Sequence, residues 1–138
     1  MIKLIVGNKG SGKTKKLINF ANTAIAESKG NVVLIEKGMK LTYDLNYNIR
    51  LINADSYSIS GYDSFYGFIS GVCAGNYDVT DVLIDGTLKI GGTNIDELLK
   101  FLNKIEKIST QHEVNFVITI SLDASELPSN INADIIHS

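Results

Sequence analysis

The run Gly7-Asn8-Lys9-Gly10-Ser11-Gly12-Lys13-Thr14 constrains this chain more than any other. It stands between an apolar stretch, Ile2 to Val6, and a segment of helical period. Glycine, four residues, glycine, lysine, threonine is the spacing of a phosphate-binding loop, which needs a strand before it and a helix after it. Glycines at 7, 10 and 12 allow a tight turn that brings successive backbone N–H groups onto one anion. The helix that follows adds the positive end of its dipole. In such a cradle, built from Gly7 through Thr14 with Asn8, Lys9 and Ser11 included, Lys13 reaches the outer phosphates and Thr14 sets its hydroxyl on a magnesium ion.

The rest of the chain alternates between strand and helix signals. Ile2 to Val6 is a continuous apolar run, as in a strand buried on both faces of a parallel sheet. Leu17, Ile18, Ala21, Ala24, Ile25 and Ser28 then share one helical face, and Gly30 is expected to stop that helix. Asn31 to Glu36 reads as a second buried strand ending on an acid. Lys37 to Asn48 has no clear period and reads as a loop. Ile49 to Ile52 is a third strand, and Ser60 to Tyr77 a glycine-containing helix with Phe65, Phe68, Ile69, Val72 and Cys73 on one face. Val82-Leu83-Ile84-Asp85-Gly86 is a fourth strand, and Gly91-Gly92 marks a loop. Asn94, with Glu97 three residues on, predicts a helix start, and that helix runs to about Ser109. Asn115 to Leu122 is a fifth strand and Ala133 to Ile136 a closing edge strand.

This alternation predicts a three-layer α/β protein, a mostly parallel sheet flanked by helices, in one domain spanning residues 1–138. Ligands of such sheets sit at the carboxyl ends of the strands. The candidate site residues are therefore the loop from Gly7 onward, Glu36, Asn53, Asp85 and Ser121. Asp85 follows an apolar run and is the natural partner of the loop, holding magnesium beside the Thr14 hydroxyl.

A formal net charge of −2 gives no basic stripe for a polyanion, so nucleic acid is an unfavoured partner; a cluster at Lys13, Lys15 and Lys16 belongs with the phosphate loop. Cys73 is the only cysteine, which excludes a disulfide or cysteine-built zinc site within one chain and suits an intracellular protein. The first apolar run is too short for a signal peptide or a membrane span, so the expected location is the cytoplasm, without membrane attachment.

The segments GNKGSGKT, VVLIEKG and VLIDGTLKI together resemble the ATPase core shared by RecA-type proteins, with a P-loop NTPase fold. The resemblance implies ATP and Mg2+ as cofactors. It also implies a catalytic glutamate at the end of the second strand, where Glu36 stands. Many P-loop ATPases carry the glutamate directly after the aspartate of the fourth strand, but this chain has Gly86 there. More loosely, the resemblance covers Val117 to Ser121, where the family has a polar residue that senses the γ-phosphate, and Ala133 to Ile136 as closing strand. Family members often place the active site between subunits, which makes a homo-oligomer or protein partner compatible with the pattern. A weaker similarity, in Gly12 to Ile18 and the Asp85 strand, is to thymidine kinases of the zinc-containing type, whose cysteine-rich lobe this chain cannot supply.

Fast hydrolysis in this class uses a cationic finger. Arg50 is the only arginine and precedes an apolar strand run, at the end away from the site; Lys89, four residues past Asp85, is the better candidate. The expectation is an ATP-binding protein that is either a slow Mg-dependent ATPase or a nucleotide-sensing module. A small-molecule or nucleoside kinase is the alternative. Of the tyrosines at 43, 47, 57, 62, 66 and 77, one in the loop after Glu36 could stack on a base. His112 is expected just past a helix end and has no catalytic assignment.

Overall fold

The computed structural model describes residues 1–38 and 44–138; Tyr43 and the middle of the expected 37–48 loop lie outside them. In chain order the elements are β1 (Ile2–Val6), α1 (Lys13–Glu27), β2 (Asn31–Glu36), β3 (Arg50–Asn53), α2 (Tyr62–Gly75), β4 (Val79–Ile84), α3 (Thr87–Gly91), α4 (Ile95–His112), β5 (Asn115–Ile120) and β6 (Asp134–His137). Short 3-10 turns occupy Ala54–Tyr57 and Ala124–Glu126. The described strands form one six-stranded sheet in the order β3-β2-β4-β5-β1-β6, with every pairing parallel.

The direction in which the chain travels across the sheet decides which face each connection covers. From β1 to β2 it moves toward the β3 edge, whereas from β3 to β4 and from β4 to β5 it moves back. Right-handed crossovers then require helices on opposite faces. α1 accordingly buries Leu17 and Ala21 against Ile5, Leu34, Leu83 and Val117. α2 and α4 bury Phe65, Ile69, Leu98 and Phe101 against Leu4, Ile35, Ile84 and Phe116 on the other face. The same rule covers the remaining connections. The described residues just before β3 lie on the α1 side, where Asn22 on α1 donates to the Asp44 carbonyl at 3.3 Å and accepts from Asn46 N–H at 3.0 Å. The β5–β6 segment lies on the α4 side, where Asn132 donates to Glu106 at 2.8 Å.

Several local expectations are corrected. Gly30 does not stop α1: the helix ends at Glu27, capped by Ser28, whose N–H reaches the Ala24 carbonyl. Glycine is needed at 30 because a side chain there would run into the Asp78 carbonyl, which accepts from Asn31 N–H at 2.8 Å as β2 begins beside β4. Gly91 lies in a helix, not a loop, and a Cβ there would strike the Tyr62 ring. β4 starts three residues earlier than expected, at Val79, and β5 stops at Ile120. α4 runs through His112, which therefore sits in the last turn and not beyond it. The cap predicted at Asn94 is present, its side chain accepting from Glu97 N–H at 3.1 Å.

Candidate functional site

The register aligns the carboxyl ends of three strands. Ile35 lies beside Ile84, Ile84 beside Ile118, and Thr119 beside Ile5. One residue beyond the first two pairs, Glu36, Asp85 and Thr119 form a row across β2, β4 and β5. Strand alternation turns this row to the face shared by Val32, Leu34, Leu83 and Val117, which α1 covers. The Asp85 N–H donates to the Ile35 carbonyl at 2.9 Å and keeps the residue against β2.

The loop from Gly7 to Thr14 closes over the end of this row. Gly10 and Gly12 adopt left-handed backbone angles, φ 84° and 94°, that a side chain would strain. Lys13 is 8% exposed, and its ammonium folds back to donate to the Asn8 carbonyl at 2.9 Å. Burial lowers its pKa. The Asp85 carboxylate partly offsets this, and the nearby Lys89 ammonium adds to the lowering. On its outer side the loop is tied to the β6 end of the chain. Ser138 shares a 2.7 Å hydroxyl contact with Ser11 and donates its N–H to the Val6 carbonyl at 2.9 Å, and Lys16 donates to the His137 carbonyl at 2.8 Å.

The start of α1 has the wrong charge for a helix end left to itself. Gly12 provides no side-chain cap, the first turn has no acidic residue, and Lys13, Lys15 and Lys16 stand there instead. Cations near the positive end of a helix dipole are unfavourable, and an anion at the same place is favourable. The contrast with α4 is internal to the protein, since that helix begins with the Asn94 cap followed by Asp96 and Glu97.

Thr14, Asp85 and Thr119 are brought together as the oxygen-bearing part of the site. The Thr14 hydroxyl donates to the Asp85 carboxylate, with contacts of 3.3 and 3.2 Å to its two oxygens. Thr119 donates to Asp85 Oδ1 at 2.8 Å and accepts from Gly86 N–H at 3.0 Å. A cleft of about 480 Å3 opens here, a size that suits a small organic ligand. Lys9, Lys13 and Lys89 line it against one carboxylate, Asp85, so its walls favour an anion; Ser121 lines it as well. A larger cavity of about 660 Å3 lies between α2 and α4, bordered by Lys100, Lys104, Asp63 and Glu97. Its charges are mixed, so the smaller cleft, beside the glycine-rich loop, is the stronger chemical candidate.

Glu36 and Lys89 stand differently toward the cleft. Glu36 is 3% exposed and stands in the row beside Asp85, but it is not among the residues that line the cleft. Lys89 lines the cleft from α3, an element without a sequence signal of its own because five residues are too few to show a helical period. Arg50 opens the edge strand β3 at its amino end, away from the cleft. Asn53 accepts from Gly38 N–H at 2.8 Å and Asp55 N–H at 3.0 Å, a role in shaping the turns after β2 and β3. Tyr62 is buried against Phe101, its hydroxyl donating to the Gly92 carbonyl at 2.7 Å, with its pKa raised to about 12 by burial and Glu97. Tyr47 and Tyr77 are almost fully exposed.

Next to the site, Thr87 is fully buried and its hydroxyl has no hydrogen-bond partner among the described residues. Thr87→Val, which keeps the shape and removes the unpaired group, is expected to stabilise the protein by about 1 kcal/mol. Urea unfolding should show a higher midpoint at unchanged slope; a lower midpoint would reveal a partner for the hydroxyl.

The fold and site thus define an α/β protein with an all-parallel six-stranded sheet and a lysine-lined cleft at the carboxyl ends of its strands. Among the described residues no group of three or more His, Cys, Asp or Glu could enclose a metal, and no helix is long and apolar enough to cross a membrane. Comparison with protein-family models gives no match, and no curated protein matches the chain significantly.

Proposed function

We propose that this is a P-loop nucleotide-binding protein of RecA-type core that binds ATP with Mg2+ in the cleft beneath Gly7–Thr14, and that it is a slow hydrolase or a nucleotide sensor. The observation that carries this is the start of α1: an uncapped helix end with three lysines in its first turn, at the motif where a triphosphate supplies the missing negative charge. Lys13 would exchange the Asn8 carbonyl for phosphate oxygens, and the loop N–H groups would meet the same anion.

The oxygen donors of Thr14 and Asp85 suit a hard divalent cation, and their adjacency supports their joint use. When bound, magnesium supplies charge neutralisation between the phosphates. Lys89 adds a second cation from α3 to the same cleft. Turnover is expected to be slow, because among the described residues Asp85 is the only carboxylate lining the cleft and is already held by two hydroxyls. Glu36, one strand away in the same row, is the candidate base for any hydrolysis.

Titration calorimetry with ATP, with and without magnesium, tests the binding. Asp85→Asn is expected to remove most of the magnesium enhancement, roughly 10-fold or more, and to leave metal-free binding nearly intact. An affinity indifferent to magnesium in the wild type would exclude this metal site. Hydrolysis by wild type and Glu36→Gln then separates the two roles: a rate that falls in the variant identifies a hydrolase, and equal near-zero rates identify a sensor. ATP consumption that appears only with a nucleoside acceptor would instead identify a kinase.

A further inference from the structure

We propose that Thr119 is a positioning residue that sets the Asp85 carboxylate for the metal and couples it to the α3 segment bearing Lys89. This rests on the reading of the cleft as a magnesium–nucleotide site.

β5 is apolar from Phe116 to Ile120 except at Thr119, which is 2% exposed. A hydroxyl so deeply buried must be hydrogen-bonded or be costly. Thr119 uses its hydroxyl in both senses. Its oxygen accepts the Gly86 N–H at 3.0 Å, and its single proton has the Asp85 Oδ1 at 2.8 Å, closer than the Ile84 carbonyl at 3.4 Å. The chain Gly86 N–H, Thr119 O–H, Asp85 carboxylate is therefore directed: each donor reinforces the next. With Oδ1 held from the β5 side, Oδ2 stays beside the Thr14 hydroxyl at 3.2 Å. The carboxylate then reaches the metal position without first losing rotational freedom.

The second link runs through Gly86, the residue before α3. Because Thr119 holds both Asp85 and Gly86, the carboxylate and the root of the helix carrying Lys89 share one anchor. A β-strand between β1 and β4 is what makes this contact available: β5 separates the loop strand from the Asp85 strand and gives its Thr119 side chain to the latter.

The test compares binding of a fluorescent ATP analogue in magnesium and in chelator, for wild type, Thr119→Val and Thr119→Ser. Thr119→Val is expected to lose about 10- to 100-fold of the magnesium enhancement and to keep the chelator affinity within about 2-fold, whereas Thr119→Ser retains both. A general loosening of the fold would weaken both conditions alike. Should the valine variant not fold, the serine variant still decides, since loss of magnesium enhancement with the hydroxyl present overturns the role. A wild type that shows enhancement alongside a valine variant that shows the same enhancement overturns the role alone. A wild type without enhancement overturns both the role and the site on which it rests.

Discussion

Lys13→Met is expected to lower the affinity for a nucleoside triphosphate by roughly 100-fold or more and, at the same time, to make the unliganded protein more stable. The two effects have one cause. Lys13 is a cation in a nearly buried position, donating to the Asn8 carbonyl at 2.9 Å and to the Ser11 hydroxyl at 3.5 Å, with the Asp85 carboxylate and the Lys89 ammonium nearby. Burial penalises its charged form, so its pKa in the folded protein lies below the 10.5 of an unperturbed lysine. The folded state binds this proton less tightly than the unfolded state. The destabilising contribution is therefore full at neutral pH, shrinks as pH rises through the folded pKa, and disappears above about 10.5. Methionine keeps most of the side-chain volume and removes the charge. Urea unfolding at pH 7 should favour the variant, and the gap should narrow at pH 10. Binding falls because a charge-assisted contact to phosphate is worth roughly twice a neutral hydrogen bond and the variant also leaves phosphate charge without its cation. Unchanged triphosphate affinity in the variant would remove the main support for a phosphate site, and a variant less stable than wild type at pH 7 would mean that the buried ammonium is well satisfied.

Phe65→Ala should be the most destabilising single change in the helical layer opposite α1. The Phe65 ring is fully buried and stacks on Phe101 with centroids 5.1 Å apart and planes 16° from parallel, while Tyr62 packs on the same Phe101 at 5.1 Å. Truncation removes that stack and leaves a cavity between α2, α4 and the sheet, at a cost of about 3–5 kcal/mol. A domain of this size has roughly 5–15 kcal/mol in total, so about a fifth or more is lost and the melting temperature falls by about 10 °C or more. The cleft lies at the carboxyl ends of the strands under the start of α1 and meets this layer through Leu88 and Lys89 of α3. At a temperature where the variant is still folded, its nucleotide affinity should match wild type. Calorimetric melting and low-temperature binding check the two halves, and a cost below about 1 kcal/mol would mean that the layer can collapse into the space.

Elements with a strong local signal are legible in the amino-acid sequence itself. The apolar runs of β1, β2 and β5 and the helical face of α4 follow directly from residue periodicity. Asn94 caps its helix as its residue type implies. Elements that depend on a partner elsewhere are not legible in this way. Gly30 looks like a helix stop, yet its small size serves a close approach to the Asp78 backbone. α3 is too short to carry a period and is held by what surrounds it, with Gly91 tucked under the Tyr62 ring.

For the site, the spacing of Gly7, Gly12, Lys13 and Thr14 already determined a tight turn, a helix start and an excess of positive charge, because all three are properties of neighbouring residues. Tertiary structure alone decided what that turn faces. Parallel strands joined by long crossovers can be ordered in several ways, and nothing within a strand states its neighbours. By placing β5 between β1 and β4, the fold set Thr119 against Asp85 and Asp85 against Thr14, and it left Glu36 buried in the same row but outside the cleft wall.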